Sequence, residues 1–339
     1  MLSLGNRATA LGWFVGSALG CNGDTTAPTG ETGTESPIAW SRAFDTEGVG
    51  ALSGVWGSGP SDVWMVGGQP DAGEIFHFDG STWSPVTAPD VDLLVWVYGF
   101  AADDAYAVGV HGAMAHWDGA EWSKLDPPTT EDLWGVWGAA PNDLWIVGGD
   151  PNDGDPLILR YDGATFTQVA LDPAENDRNA HALFKVWGIG GRTWAVGQYG
   201  LLVEWDGMQW VQQSTGASDD FVSLWGTSPD HVLAVGGRST GLVSRFDGTA
   251  WTTTELPRVP GLSAVSMGDP DHAVVGGIGG YVGSIDPNLD GGDPVGETPI
   301  DTVDVHALWY DGAGTYYGVA GHFFDPYYGT ALVRTEDSR

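Results

Sequence analysis

The sequence predicts an all-β chain built from seven four-stranded units, and three observations carry that prediction. The 339 residues hold 53 Gly and 18 Trp but only two Lys, a mixture that suits short strands and tight turns and disfavours helices. A Trp-Gly segment recurs along the chain. Between its copies falls an Asp-Gly segment flanked by aromatic residues. With 42% hydrophobic residues the chain can build a core, so wholesale disorder is excluded.

The Trp-Gly segment reads "LSGVWGSGPSDVWMVGG" from Leu52, "WVYGFAADDAYAVGV" from Trp96, "LWGVWGAAPNDLWIVGGD" from Leu133, "KVWGIGGRTWAVGQ" from Lys185 and "SLWGTSPDHVLAVGG" from Ser223. Worn copies follow at "AVSMGDPDHAVVGG" from Ala264 and "ALWYDGAGTYYGVAG" from Ala307. Trp56, Tyr98, Trp137, Trp187, Trp225, Ser266 and Trp309 align, at successive spacings of 42, 39, 50, 38, 41 and 43 residues. That period marks a repeat array or propeller. Trp134, Trp137 and Trp145 of the third copy are expected to fill the space between units, with the glycines admitting the adjacent sheet.

The second segment appears as "FDGSTW" (78–83), "WDGAEW" (117–122), "YDGATF" (161–166), "WDGMQW" (205–210) and "FDGTAW" (246–251). Asp-Gly between apolar runs signals a hairpin, because both residues tolerate positive φ. Each unit then reads as four strands; in the third they are "LWGVWG", "DLWIVGG", "LILRYDG" and "TFTQVAL". Their imperfect alternation suits sheets buried on both faces, and Gly and Pro recur too often for a helical period. Four strands per unit favour a seven-bladed β-propeller over a solenoid of shorter repeats.

The two ends support ring closure. "IAWSRAF" resembles a fourth strand, with Trp40 in the place of Trp83, and "TALVRTEDSR" reads as a third strand. The N-terminal strand therefore completes the last blade, leaving no unpaired edge. Residues 1–20 read as a signal peptide with Arg7 before a short apolar run, and residues 21–37 as a flexible Gly/Thr/Pro-rich tether. The propeller occupies residues 38–339. Cys21, directly after the signal, is the expected lipidation site; an ordinary signal cleavage there is the alternative.

The pattern "VWGxxPxDVWxVG…WDGxxW" resembles the Trp-rich propeller repeats of myxobacterial-type envelope lipoproteins, over nearly all of residues 40–339. The resemblance implies an exported module of the bacterial cell envelope, at the outer membrane, in the periplasm or on the cell surface. "DGSTW" distantly resembles the Asp-box of sialidase-like propellers, although that motif separates its Asp and Gly by one residue. The Trp-rich repeats are also similar to tectonin-type propellers, which implies a lectin-like alternative.

A net charge of −33 excludes nucleic acid, which needs a cationic footprint. No HExxH, GxSxG or P-loop pattern occurs, and the single Cys cannot build a Cys-rich zinc site. His111, His181 and His306 would form a site only if the ring mouth gathered them. A non-catalytic monomer that binds a protein or peptide is therefore expected, with carbohydrate binding as the alternative and glycan processing behind both.

Loops between second and third strands and between blades vary, as in "GGDPNDGDPL" (148–157) and "LDPAENDRNAHAL" (171–183), and variable loops on a rigid frame are where binding lives. In "HFFDPYY", His322, Phe323, Phe324, Tyr327 and Tyr328 either stack on a ligand or cover the last blade and channel. "DPNLDGGDPVGE" places Asp286, Asn288, Asp290, Gly291 and Glu297 at the positions of a calcium loop. The alternative there is a long hairpin replacing the missing WDGxxW of the sixth unit.

Overall fold

The computed structural model describes residues 39–288, 294–297 and 299–335. These form seven four-stranded antiparallel sheets. In the first blade the strands are β2 (Ala51–Gly59), β3 (Asp62–Gln69), β4 (Ala72–Phe78) and β5 (Trp83–Val86). The second contains β6 (Leu94–Ala101), β7 (Asp104–Gly109), β8 (Met114–Trp117) and β9 (Trp122–Leu125). Blade three follows with β10 (Leu133–Ala140), β11 (Asp143–Asp150), β12 (Asp153–Tyr161) and β13 (Phe166–Gln168), and blade four with β14 (Leu183–Ile189), β15 (Arg192–Gly197), β16 (Leu202–Trp205) and β17 (Trp210–Gln212). Blade five is β18 (Phe221–Ser228), β19 (His231–Gly236), β20 (Gly241–Phe246) and β21 (Trp251–Leu256). The sixth holds β22 (Leu262–Asp269), β23 (His272–Gly277), β24 (Val282–Ile285) and a two-residue β25 (Val295–Gly296). The seventh holds β26 (Val305–Tyr310), β27 (Thr315–His322) and β28 (Tyr328–Thr335), with β1 (Ser41–Arg42) as its outer strand. Each innermost strand touches the next, and β26 touches β2. The ring is closed.

Closure uses the N-terminal segment as the sequence predicts. Ser41 pairs with Val333 and Arg42 with Leu332, and the Ala43 amide donates to the Ala331 carbonyl at 2.9 Å. Trp40 is buried between blades six and seven, against Val282, Val303 and Leu332. Phe44 packs in tilted contacts against Phe76 (5.0 Å) and Trp83 (5.2 Å) of blade one. One short strand thus links the last blade to the first.

The Trp-Gly dipeptide has a specific packing cause. The glycine after one blade's Trp is the seat for the preceding blade's Trp. A Cβ at Gly188 would lie 2.6 Å from the Trp137 ring, one at Gly99 2.6 Å from Trp56, and one at Gly57 2.7 Å from Trp309. Real Cβ atoms do not approach that closely, so glycine is required by contact rather than by φ. Blade six departs from the pattern: Ser266 stands where the Trp should be, and Tyr310 stands where its glycine seat should follow. There the ring comes from the other side, with Tyr310 lying against Gly268, 2.8 Å from where a Cβ would stand. Two sequence irregularities therefore compensate each other in one blade contact.

A second aromatic layer lies further out. Trp145 of β11 inserts between Trp205 (4.7 Å) and Trp210 (5.0 Å) of the next blade's Asp-Gly hairpin. Trp64 does the same with Trp117 (5.0 Å) and Trp122 (5.4 Å), and Tyr317 closes the ring against Phe78 (6.1 Å) and Trp83 (6.0 Å). Such aromatic contacts add about 0.5–1.5 kcal/mol each beyond area burial.

Two expectations need correction. The 148–157 segment is no long loop: β11 and β12 pair down to Asp150 opposite Asp153, leaving a two-residue turn at Pro151–Asn152. In the hairpins, only the glycine takes positive φ (Gly80, Gly119, Gly163, Gly207 and Gly248, from 89° to 100°). The Asp acts instead through its side chain. Asp79 accepts the Ser81 and Thr82 amides, both at 2.8 Å, and Asp118, Asp162, Asp206 and Asp247 repeat this arrangement.

Candidate functional site

The two faces of the ring are built differently. On one, the turn after the innermost strand of blades one, two, three and five packs against the Asp-Gly hairpin of the same blade, as where Gly80 meets Ser61 and Gly119 meets Asp103. The other face carries the connections between second and third strands, and these alternate in design. Blades two, four and six use 3-10 turns at Val110–Gly112, Gln198–Gly200 and Ile278–Gly280, whose middle residues take positive φ (His111 53°, Tyr199 56°, Gly279 68°). An aspartate at the start of the following blade accepts each middle amide: Asp132 from His111 (2.9 Å), Asp220 from Tyr199 (2.8 Å) and Asp304 from Gly279 (2.7 Å). These aspartates latch each even-numbered blade to its successor. Blades one and three use tight hairpins instead, and blade seven a longer loop.

Every innermost strand slips register at the same place, leaving one residue unpaired with its neighbour. These residues are Ser53, Val95, Trp134, Phe184, Val222, Ser263 and His306, and all seven line one cavity. A cavity shared by all blades is the axial channel, and the bulges aim their extra residues into it. Trp134 therefore faces the axis and not, as the sequence suggests, the gap between blades. Trp137 and Trp145 do occupy that gap.

The channel opens on the variable-loop face in a cleft lined by blades three to six. Its floor is Trp134, Phe184, Val222 and Leu262; its polar rim includes Gln198, Asp220 and Arg238. The Trp134 indole donates to the Gly149 carbonyl at 2.9 Å, fixing the ring. Gln198 is buried and held at both ends of its amide: it donates to the Pro151 carbonyl (2.9 Å) and accepts from the His181 (2.8 Å) and Ala182 (3.2 Å) amides. Arg238 is held by Asp220 (3.0 and 3.2 Å) and lies over Tyr199, its centroid 5.5 Å away. The rim is thus preorganised, with apolar area beneath it.

Deeper in the channel sit two basic side chains. Lys185 is 6% exposed and places Nζ 2.9 Å over the Trp96 ring centroid. Burial holds its ammonium well below the usual lysine range. The ring face returns about 2 kcal/mol to a desolvated cation, whereas desolvation costs several, so burial wins. His306 donates through Nε2 to the Gly321 carbonyl (3.0 Å) and meets the Phe323 ring at 4.6 Å. Burial lowers its pKa, outweighing the Gly321 hydrogen bond and the Asp304 charge that raise it, and nearby Lys185 adds to the lowering.

The sequence-predicted residues are distributed unequally around this site. Phe323 is buried against the channel wall and Tyr327 packs on the same cluster. Phe324 and Tyr328 are each 40% exposed, and His322 stacks on Tyr328 at 5.1 Å. The segment thus both covers the channel and presents rings to solvent. The three histidines are not gathered: His111 pairs with Asp92 at 2.7 Å, His181 bonds to Gly154 and His306 stays in the channel. Asp286 caps the Asn288 amide at 2.8 Å beside His231 of blade five, whereas Glu297 accepts from Ser284 (3.1 Å) and pairs with buried Arg334 of blade seven (3.4 Å). Asp290, Gly291 and Cys21 lie outside the described residues. Among the described residues no group of three or more His, Cys, Asp or Glu side chains is placed to hold a metal.

Solved structures with the same ring exist in number. YCF48 bound to D1 peptide aligns at a TM-score of 0.62 with 16% identity, over 89% of this chain and 100% of that one. YCF48 from Cyanidioschyzon merolae aligns at 0.63 with 16% identity, over 88% and 99%. The WD40 propeller domain of Doa1 aligns at 0.64 with 12% identity, over 89% and 97%. The likeness is one of fold. No family model and no curated protein sequence matches the chain.

Proposed function

We propose that this propeller is a non-catalytic binding module that takes a protein or peptide segment at the channel mouth of its variable-loop face. The observation that carries this reading is the preorganised cleft. Apolar rings line its floor, paired polar groups form its rim, and it lies on the face where the repeat stops repeating. A structural neighbour of the same ring architecture is bound to a peptide, which supports the reading. Selection of a phage-displayed random peptide library on the ring should enrich sequences whose binding is lost in Arg238→Ala. No enrichment, or enriched peptides indifferent to that change, contradicts the proposal.

Carbohydrate binding is the second reading, favoured by the exposed rings of Phe324 and Tyr328 beside His322. Reproducible glycan-array signal abolished by changing Tyr327 and Tyr328 would support it. We place the module in the cell envelope, tethered through lipid on Cys21, on the strength of the N-terminal sequence and its repeat resemblance. Palmitate incorporation unchanged in Cys21→Ser would end the lipid-anchor proposal. Calcium at Asp286, Asn288, Asp290 and Glu297 requires Glu297 to leave Arg334. A calcium-dependent rise in melting temperature that disappears in Asp286→Ala would support it.

A further inference from the structure

The channel differs in charge from the rest of the molecule. The chain carries 45 acidic residues against 12 basic ones, yet the described lining of the deep channel holds Lys185 and His306 and no carboxylate. Lys185 follows the bulge residue Phe184 on β14, passes beside Gly135 of blade three and ends over Trp96 of blade two. Burial is the influence on its protonation, and among the described residues no opposite charge offsets it. Natural proteins pair a buried ammonium or lose its charge. Here it lines the axial channel together with Ser53, Trp134 and Phe184.

We infer that the deep channel is a receptor for a single carboxylate carried on an apolar stem. Lys185 supplies the cation and the Ser53 hydroxyl a second donor, while Trp96, Trp134 and Phe184 wall the stem. Ser263 contributes less, because its hydroxyl already donates to the Val305 carbonyl at 2.5 Å. An entering carboxylate restores the Lys185 charge that burial disfavours, and one ammonium then matches one carboxylate. The negative charge of the whole molecule slows the approach of an anion, but at physiological ionic strength it is screened beyond roughly 8 Å, whereas the buried pair is not. The site shares Trp134 and Phe184 with the mouth proposed above, but Lys185→Met leaves Arg238 and Gln198 in place, so either proposal can fail alone.

The chain's two lysines make the test direct. With 13Cε-labelled lysine, exposed Lys124 and buried Lys185 give two signals. Phenylacetate should move the Lys185 signal and leave Lys124 unmoved. It should bind about tenfold or more tightly than phenylacetamide, as a hydrogen bond to a charged group outweighs a neutral one. In Lys185→Met the acid and the amide should bind alike, and Ser53→Ala should weaken the acid severalfold. A Lys185 signal indifferent to millimolar phenylacetate overturns the proposal. So does an equal response to the amide, or undiminished phenylacetate binding in Lys185→Met. A short peptide ending in a free Phe carboxylate that displaces phenylacetate, where its C-terminal amide does not, would assign the carboxylate to a peptide tail. Failure of that peptide to compete would assign it to a free small acid.

Discussion

The two faces of the ring obey different rules. On the hairpin face, five Asp-Gly turns share one geometry and one capping pattern. On the channel face, equivalent positions hold Ser, Val, Trp, Phe, Val, Ser and His. Packing explains the first face: a four-stranded blade needs its hairpin closed, and the five Asp-Gly closures are solved the same way. It does not explain the second, where the bulged residue contributes to no sheet pairing and is free to differ. Uniformity marks the scaffold, and departure from it marks the surface open to function.

The largest break in this comparison is loss of ring closure. Removing residues 39–46 deletes β1, Trp40 and Phe44 and exposes the β28 edge. Losing a buried Trp side chain alone costs about 3–5 kcal/mol, which at 2–4 °C per kcal/mol lowers Tm by roughly 10 °C. Calorimetry that finds an unchanged Tm would show that the ring does not depend on its N-terminal strand.

Next comes the Trp-Gly seat. Gly188→Val drives a branched side chain into the Trp137 ring and should destabilise by about 1–3 kcal/mol, visible as a drop in the urea midpoint. A midpoint equal to the parent would mean that the ring can move aside.

The smallest effect belongs to the hairpin carboxylates. Hydrogen bonds from Ser81 and the Thr82 amide bring Asp79 down to about 2, and backbone amides likewise lower Asp118, Asp162, Asp206 and Asp247. A carboxyl depressed in the folded state stabilises above its unfolded pKa and loses that stabilisation as pH falls toward the folded value. Tm should therefore hold from neutrality to about pH 4 and fall between there and pH 2. Asp79→Asn should make the decline shallower. If the decline has the same slope in that variant, the Asp79 cap contributes nothing.

Much of the scaffold was legible because it repeats. The spacing of Trp56, Tyr98 and Trp137 revealed the blades, and Trp40 revealed the closing strand. Trp134 was misplaced because sequence periodicity cannot show a bulge: one unpaired residue turns the side chain from the blade gap to the axis. The pairing down to Asp150 and Asp153 was missed because an Asp/Pro/Asn/Gly run has the composition of a loop whether or not its backbone pairs. The latches at Asp132, Asp220 and Asp304 left a signal, a recurring Asp just before the inner strand paired with a Gly-x-x-Gly turn one blade earlier. Lys185 and His306 left none, since which blades meet across an axis is a property of the closed ring.

The central claim is that binding resides on the non-repeating face. Peptides selected on the ring should be measured by titration calorimetry against two variants of unchanged Tm. Arg238→Ala alters the mouth, and Met208→Ser alters the hairpin face, where Met208 is 88% exposed. The mouth variant should lose tenfold or more in affinity, the scale of about 1.4 kcal/mol, while the hairpin variant binds like the parent. Binding that survives in the first and falls in the second would contradict the account.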